Sequence, residues 1–419
     1  MLVRVSHSAR LADYRAALTT PGAGLPVLAS LLARMPIAMV GLSLLLYVQR
    51  ELGSFAIAGL VSAGSLVGVA TGAVIQGRIM DRLGPTRPLL VAAALFSAAV
   101  TGAVLAVETR QPDVVLVLLG STVGLTEPMV GAASRALWTT LLPPGPIRHA
   151  AYAYEAISLE VFFILGPALA GILVAAPWAG TGVLIGATCM VVGSVSFALT
   201  PAVRRVHPGR DDSARDLLGA LASRGMRTLA LAAFGFGITI GFVEVAVPAA
   251  ATNAGHAPLG GVMLALWSLT SVVFGLFYAV RPWPRPMHQR LPALLGVFAL
   301  LVAPMSLTTS LLGLAVALLV AGVWITPQST AHSTAIELVA PRGTATEAFG
   351  WIVTSVTLGL AAGHSTSGYL VEHVGVPASF LASSCSGLLI AALVWLRRSS
   401  LTEEAPAREP VAVAVRSAV

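Results

Sequence analysis

The sequence predicts an all-α membrane protein: twelve transmembrane helices arranged as two pseudo-symmetric six-helix bundles. Three observations carry this. The 419 residues are 56% hydrophobic and only 10% charged, with a mean hydropathy of +0.86, whereas a soluble domain carries about 25% charged residues. Twelve apolar runs are each long enough to cross a ~30 Å hydrocarbon core at ~1.5 Å per residue. Short motifs recur between the two halves at nearly constant offset, as expected of a duplicated membrane bundle.

The runs lie near residues 25–48, 54–76, 88–107, 114–141, 150–175, 181–203, 228–251, 258–280, 291–308, 311–337, 347–371 and 376–396. Residues 1–24 form an N-terminal tail with Arg4, Arg10 and Arg15 and no short apolar core ending at a small-residue cleavage site, so the first run reads as an uncleaved insertion signal. The bundles occupy 25–203 and 228–396. Between them lies a central segment, 204–227, that opens with Arg204-Arg205, and a tail, 397–419, follows the last run.

With the N-terminus inside, the cytoplasmic loops hold Arg78, Arg82, Arg87, Arg148, six arginines from Arg204 to Arg227, Arg281, Arg285, Arg290 and Arg342. The outer loops hold only Arg50 and Arg110. This bias places both termini in the cytoplasm, in a multi-pass protein of the cell membrane. The net charge of +7 is accounted for by these orienting loops and asks for no nucleic-acid partner. Cys189 and Cys385 both fall inside apolar runs, as small buried hydrophobes rather than a disulfide or metal pair.

The repeat is specific. Gly166-Pro-Ala-Leu-Ala-Gly171 in the fifth run matches Gly363-His-Ser-Thr-Ser-Gly368 in the eleventh at an offset of 197. Pro128 matches Pro327 at 199, and Gly41 matches Gly241 at 200. The loop at 281–290 stands where a second copy of the 77–87 motif should be, and it keeps only basic character.

After the second run comes Gly77-Arg-Ile-Met-Asp81-Arg82-Leu-Gly84-Pro85-Thr-Arg87, read as a reversal of about a dozen residues whose Gly-Pro pair cannot continue a helix. The spacing of Gly77, Asp81, Arg82, Gly84 and Arg87 resembles the signature loop of the major facilitator superfamily, found there between the second and third transmembrane helices. The resemblance extends to span count, orientation, central segment and half-repeat. It is to twelve-span drug and metabolite exporters of an actinobacterial type. Gly166-Pro167 resembles part of a motif of proton-coupled exporters, with Phe162 where the full pattern has glycine; by itself it is a helix kink that permits close packing. The resemblance implies a monomeric carrier without a cofactor. It also implies that Asp81 belongs to a latch on the cytoplasmic side, for which Arg135 at the end of the fourth run is the candidate partner.

Ionisable residues deep in a span cost roughly 2.5–3.5 kcal/mol each to insert, so they are paired or face a cavity. Arg34 and Glu160 stand at matching depth in the first and fifth runs, which are neighbours in the resembled fold, and are expected to pair. Glu127, beside Pro128 in the fourth run, and Glu244 in the seventh have no basic residue at their own level. Glu127 is the stronger candidate for a proton-exchange group, because the fourth helix lines the cavity of the resembled fold. Trp324, Gln328 and His332 are spaced at four and four, hence on one helix face. With Trp267 and Trp351 they form either an aromatic, weakly polar cavity wall or a seam packing helices together. His364 stands where the repeat has Pro167 and suits a hydrogen bond to a neighbouring helix.

No P-loop, metal-ligand cluster or extramembrane catalytic domain is recognisable, so the chain is not read as an enzyme or an ATP-driven pump. The expected function is secondary transport of a small organic solute by alternating access about a midplane site, in the form of proton-coupled export. The alternatives are a sugar or metabolite uptake carrier and, in a different class, a polytopic sensor without transport; tracer flux separates them.

Overall fold

A computed structural model describes residues 11–143, 145–206, 220–280, 285–341 and 345–402. The regular structure of these residues is all helical, with no strand among them. A short helix, α1 (Leu11–Leu18), precedes the first crossing, which is interrupted: α2 (Gly24–Arg34) gives way to α3 (Ile37–Leu52) at Met35-Pro36. The next crossings are α4 (Phe55–Leu83) and α5 (Thr86–Glu108). The fourth is again split, into α6 (Asp113–Thr126) and α7 (Val130–Leu141). Then follow α8 (Pro146–Leu173), α9 (Thr181–Leu199) and one turn, α10 (Pro201–Arg204). The second half runs α11 (Arg224–Asn253), α12 (Ala257–Val280), α13 (Met287–Val302), a split pair α14 (Leu311–Gly322) and α15 (Ile325–Val339), α16 (Ala345–His373) and α17 (Val376–Leu396).

Counting split pairs once, these are the twelve expected crossings. Eleven are long and apolar enough to span a bilayer among the described residues. The other, α16, is 29 residues long and carries Ser355, Thr357, His364, Ser365, Thr366 and Ser367; His364 and Ser367 bond to neighbouring helices and the other four to carbonyls of α16 itself. The outer faces carry many exposed apolar side chains, among them Leu95, Leu118, Leu184, Leu312 and Leu389, as a lipid-facing surface requires.

The reversal after the second crossing is tighter than the sequence suggested. Helix α4 continues through Gly77–Leu83, so most of the motif is helical, and the turn is Gly84-Pro85 alone. Gly84 adopts φ +75°, a conformation that glycine takes without penalty, and it is buried beside Val206. Arg82 and Arg87 are exposed.

An even number of crossings puts both ends of the chain on one face, here called the termini face together with the Gly84 turn. The halves meet through α4 with α16 and α8 with α12. A Cβ on Gly59 of α4 would strike the His364 carbonyl of α16, and one on Gly368 would strike the Phe55 carbonyl. Across the other seam, a Cβ on Gly171 would lie 2.6 Å from the Pro258 carbonyl and 2.8 Å from Gly261 Cα. These contacts sit near the face opposite the termini. Eighteen residues make five helical turns, so Gly77 shares its side of α4 with Gly59, and Gly350 shares its side of α16 with Gly368. Nothing lies within 4 Å of a Cβ on Gly77 or Gly350. The same faces touch at one end and stand open at the other, so the cleft between the halves opens toward the termini face.

Candidate functional site

Three of the crossings are broken by unwound turns, and buried charge lies beside the first of them. Each break has proline at or next to it: Pro36 between α2 and α3, Pro128 between α6 and α7, and Pro327 in the first turn of α15. Proline lacks the N–H that would continue the ladder, and it fits the first turn of a helix. Unwound backbone at membrane depth needs partners from inside the protein. At the break in the fourth crossing Gln76 of α4 supplies them: Nε2 donates to the carbonyls of Leu125 (3.1 Å) and Glu127 (2.8 Å), and Oε1 accepts from Met129 N (3.2 Å). Gln76 is buried. One amide side chain thus satisfies three backbone groups. Glycines 64, 68 and 72 let α4 close on α6 tightly enough for Gln76 to reach.

Glu127 stands in this break, half-buried, and its carboxylate makes no hydrogen bond or ion pair with a described residue. Arg34, 2% exposed, closes α2. Its partner is Glu155 of α8, not Glu160. Arg34 Nη1 bonds Glu155 Oε2, and Nη2 donates to the Glu155 carbonyl (2.9 Å). The other carboxylate oxygen accepts from Ser134 Oγ (2.6 Å) and Trp138 Nε1 (3.0 Å) of α7. This network joins the first, fourth and fifth crossings and leaves only Nε of the Arg34 guanidinium without a partner among the described residues. Helix α8 begins at Pro146 rather than at 150, which brings Glu155 instead of Glu160 to the level of Arg34.

Glu160 is left exposed. It lies on the same side of α8 as Pro167 and Gly171, seven and eleven residues on. There α8 meets Pro258 and Gly261 of α12, so Glu160 sits where the two helices have splayed apart, in the cleft.

The second half contributes a group that the sequence did not assemble. Glu244 Oε2 lies 2.8 Å from His364 Nε2, and His364 Nδ1 lies 2.8 Å from Ser62 Oγ. The chain runs from α11 through α16 into α4 of the other half. The His364 side chain is 8% exposed and that of Glu244 is 36% exposed. Glu244 and His364 stood out as separate residues in the sequence; nothing there brought them together, since they are 120 positions apart. Eight residues after His364 on α16 and eight before Ser62, at the start of α4, a second tie crosses the seam: Glu372 Oε2 accepts from Ser54 Oγ (2.5 Å) and Ala56 N (2.8 Å), so a carboxylate of α16 caps the N-terminus of α4.

Trp267, Gln328 and His332 belong to the packed interior of the second half rather than to an open wall. They are 3%, 0% and 3% exposed. Gln328 Nε2 lies 3.5 Å from His332 Nε2, the His332 ring packs on Phe236 at 5.7 Å, and Phe298 stacks on Trp267 at 6.2 Å. Trp324 is half-buried at the α14–α15 break, against Phe274. Trp351 is half-buried and donates to Glu347 Oε1 at 3.4 Å. Arg135 is exposed on α7. The side chain of Asp81, its expected latch partner, lies outside the described residues, as do Arg281 and Arg342.

The model of the Major Facilitator Superfamily matches residues 27–345. The multidrug efflux pump Tap of Mycobacterium tuberculosis (strain ATCC 25618 / H37Rv) is 30% identical over 159 residues, 36% of this chain and 38% of that protein. Tap of Mycobacterium bovis (strain BCG / Pasteur 1173P2) matches equally. The match thus spans well under half the length of these relatives. Among solved structures, the nucleoside transporter NupG superposes with a TM-score of 0.71 at 12% identity, covering 89% of this chain and 100% of that one. A bacterial homologue of the iron transporter ferroportin, in an inward-facing state, gives 0.68 at 13% identity over 94% of this chain and 100% of that one. At such identities these likenesses speak for the fold alone. With the family model matching most of the chain, and with twelve crossings in two halves around a cleft, the chain belongs to the major facilitator superfamily and is a membrane transporter.

Proposed function

We propose that the chain exports a small amphipathic organic compound across the cell membrane in exchange for protons, with both termini in the cytoplasm and the protein acting as a monomer. The observation that carries this reading is Glu127. It is an acid in an unwound stretch of a cleft-lining helix with no partner among the described residues, where it can exchange a proton once the cleft reaches water. The partial match to a protein named as a multidrug efflux pump favours export over uptake.

Glu127→Gln keeps size and hydrogen bonding while removing titration. In proteoliposomes with an imposed pH gradient, the unaltered protein should drive a lipophilic dye such as ethidium uphill. The variant should still exchange dye across the membrane but no longer accumulate it. Full pH-driven accumulation by Glu127→Gln would remove Glu127 from the coupling. Flux indifferent to the gradient in the unaltered protein would remove proton coupling altogether.

A further inference from the structure

We propose that His364, held between Glu244 and Ser62, is a proton-binding site whose loading locks the halves together at the face opposite the termini. This rests on the reading of the chain as a proton-driven exporter. It assigns the lock to a pair of residues distinct from Glu127.

An ionised carboxylate only accepts hydrogen bonds, so Glu244 fixes the proton of a neutral His364 on Nε2. Nδ1 is then an acceptor, and Ser62 Oγ, 2.8 Å away on the other half, donates to it. When α4 parts from α16, Ser62 leaves and the Nδ1 lone pair meets water on the outer side. A proton taken there forms an N–H bond at Nδ1 and makes the ring an imidazolium, with both nitrogens donating. As the halves close again, Nδ1–H donates to Ser62 Oγ while Nε2–H donates to the Glu244 carboxylate. The closed arrangement then holds an ion pair and a charge-assisted bond across the seam, stronger than the neutral bond it replaces.

Release runs the other way. The Glu244 side chain is 36% exposed, and in this scheme its open side is the route to the cleft. The Nε2–H bond breaks as an O–H bond forms on Glu244, and that proton passes to water in the cleft. A carboxylate then faces an Nε2 without hydrogen, and the extra strength of the lock is gone. One turnover carries a proton from the outer side in at Nδ1 and out by Nε2, and leaves the ring as its Nδ1–H tautomer. Rotation of the ring while the halves are apart, which turns its unprotonated nitrogen to the outer water, resets the site without returning the proton. The net movement is inward, as exchange for an exported solute requires.

The surroundings do not compete for this role. On α4 no titratable side chain lies between Phe55 and Gln76, and on α11 Glu244 is the only one between Thr228 and Asn253. On α16 the nearest are Tyr369, Glu372 and His373, at the outer end, where Glu372 is engaged with the α4 N-terminus. Of the other helices packed on this group, α3 brings Tyr47, which donates to Glu108 of α5, α6 ends at Glu127 in its break, and α15 brings His332 beside Gln328, while Cys385 of α17 is exposed; among the described residues none of these bonds to His364, Glu244 or Ser62.

The test is the distance across the outer face as a function of pH, without any transported solute. Spin labels at Gln111 and Val374, both exposed, report it in a background with Cys189→Ser and Cys385→Ser. As the pH falls from about 8 to 5, the closed-to-open ratio should rise, by at most about tenfold per unit for one proton. His364→Gln and Glu244→Gln should each flatten that response. Ser62→Ala should flatten it too, while proton uptake measured on the purified protein persists, because the His364–Glu244 pair survives within one half. A response that persists in both His364→Gln and Glu244→Gln overturns the proposal, as does no response in the unaltered protein. Dye accumulation driven by the pH gradient is measured alongside. Its absence in the unaltered protein defeats proton-driven export, whereas its persistence beside a flat outer-face response defeats only the lock.

Discussion

Arg34 and Glu155 are 2% and 0% exposed, and removing one partner of such a buried pair strands a charge at a cost of roughly 3–5 kcal/mol. Arg34→Ala and Glu155→Ala should each lower thermal stability in detergent strongly. The double change should cost less than the sum, because no charge is left behind; strictly additive losses would show that the two do not interact. Glu160→Ala, at an exposed position, should leave the melting temperature near that of the unaltered protein. Residue types were readable from the sequence at this scale, and residue partners were not. Arg34 was recognised as a buried charge needing an acid, but choosing between acids five positions apart depends on where α8 starts, and a four-residue error there was enough. The Ser134 and Trp138 donors give no sequence signal, since a serine and a tryptophan in an apolar run suit many environments. Glu244 and His364 likewise declare their chemistry but not their contact, which depends on how α11 and α16 are rotated against each other.

Helix breaks were legible only in part. Pro128 and Pro327 were visible, as was their matching offset, yet each crossing read as a continuous apolar run, because hydropathy reports composition and not the hydrogen-bond ladder. What makes the fourth crossing tolerable when broken is Gln76, a polar residue near the end of another helix. Gln76→Ala would leave the carbonyls of Leu125 and Glu127 and the amide of Met129 without that partner. At about 1–3 kcal/mol for each unsatisfied buried group, the expected loss is several kcal/mol where water does not enter. Gln76→Glu retains the bond from Met129 N but cannot donate, so it should fall between the alanine variant and the unaltered protein. Unfolding in a denaturant series orders the three. An alanine variant as stable as the original would mean that water in the cleft serves the break equally well. The signature motif shows the same limit on reading elements: the Gly-Pro stop was legible, but the helical state of Gly77–Leu83 was not, because charged residues suit the exposed last turns of a helix as readily as a loop.

For the whole molecule, the duplicated Gly-x-x-x-x-Gly motif divides into two jobs that the sequence match alone could not separate. The first glycine packs within its own half. A Cβ on Gly166 would lie 2.9 Å from Ala38 Cβ and Met39 N of α3, and one on Gly363 would lie 2.6 Å from the Ile238 carbonyl and 2.8 Å from Gly241 Cα of α11. The second glycine packs between halves, Gly171 against α12 and Gly368 against α4. Five residues turn a helix by about 140°, which carries the pair from the inner seam of a half to the seam between halves, and the same division in both copies is the pseudo-twofold relation made physical. Leucine at the two kinds of position should therefore fail differently. Gly166→Leu and Gly363→Leu press against backbone inside a packed bundle, which cannot yield without losing its core contacts, so folded yield should fall sharply. Gly171→Leu and Gly368→Leu press only on the seam that must part in each transport cycle. The halves can relieve the overlap by rocking, so these proteins should fold, show a longer spin-label distance across the outer face, and lose transport. Normal folding, a closed outer face and unaltered flux in Gly368→Leu would mean that the α4–α16 contact is not a moving seam, and the two-body account of the cycle would have to be abandoned for this chain.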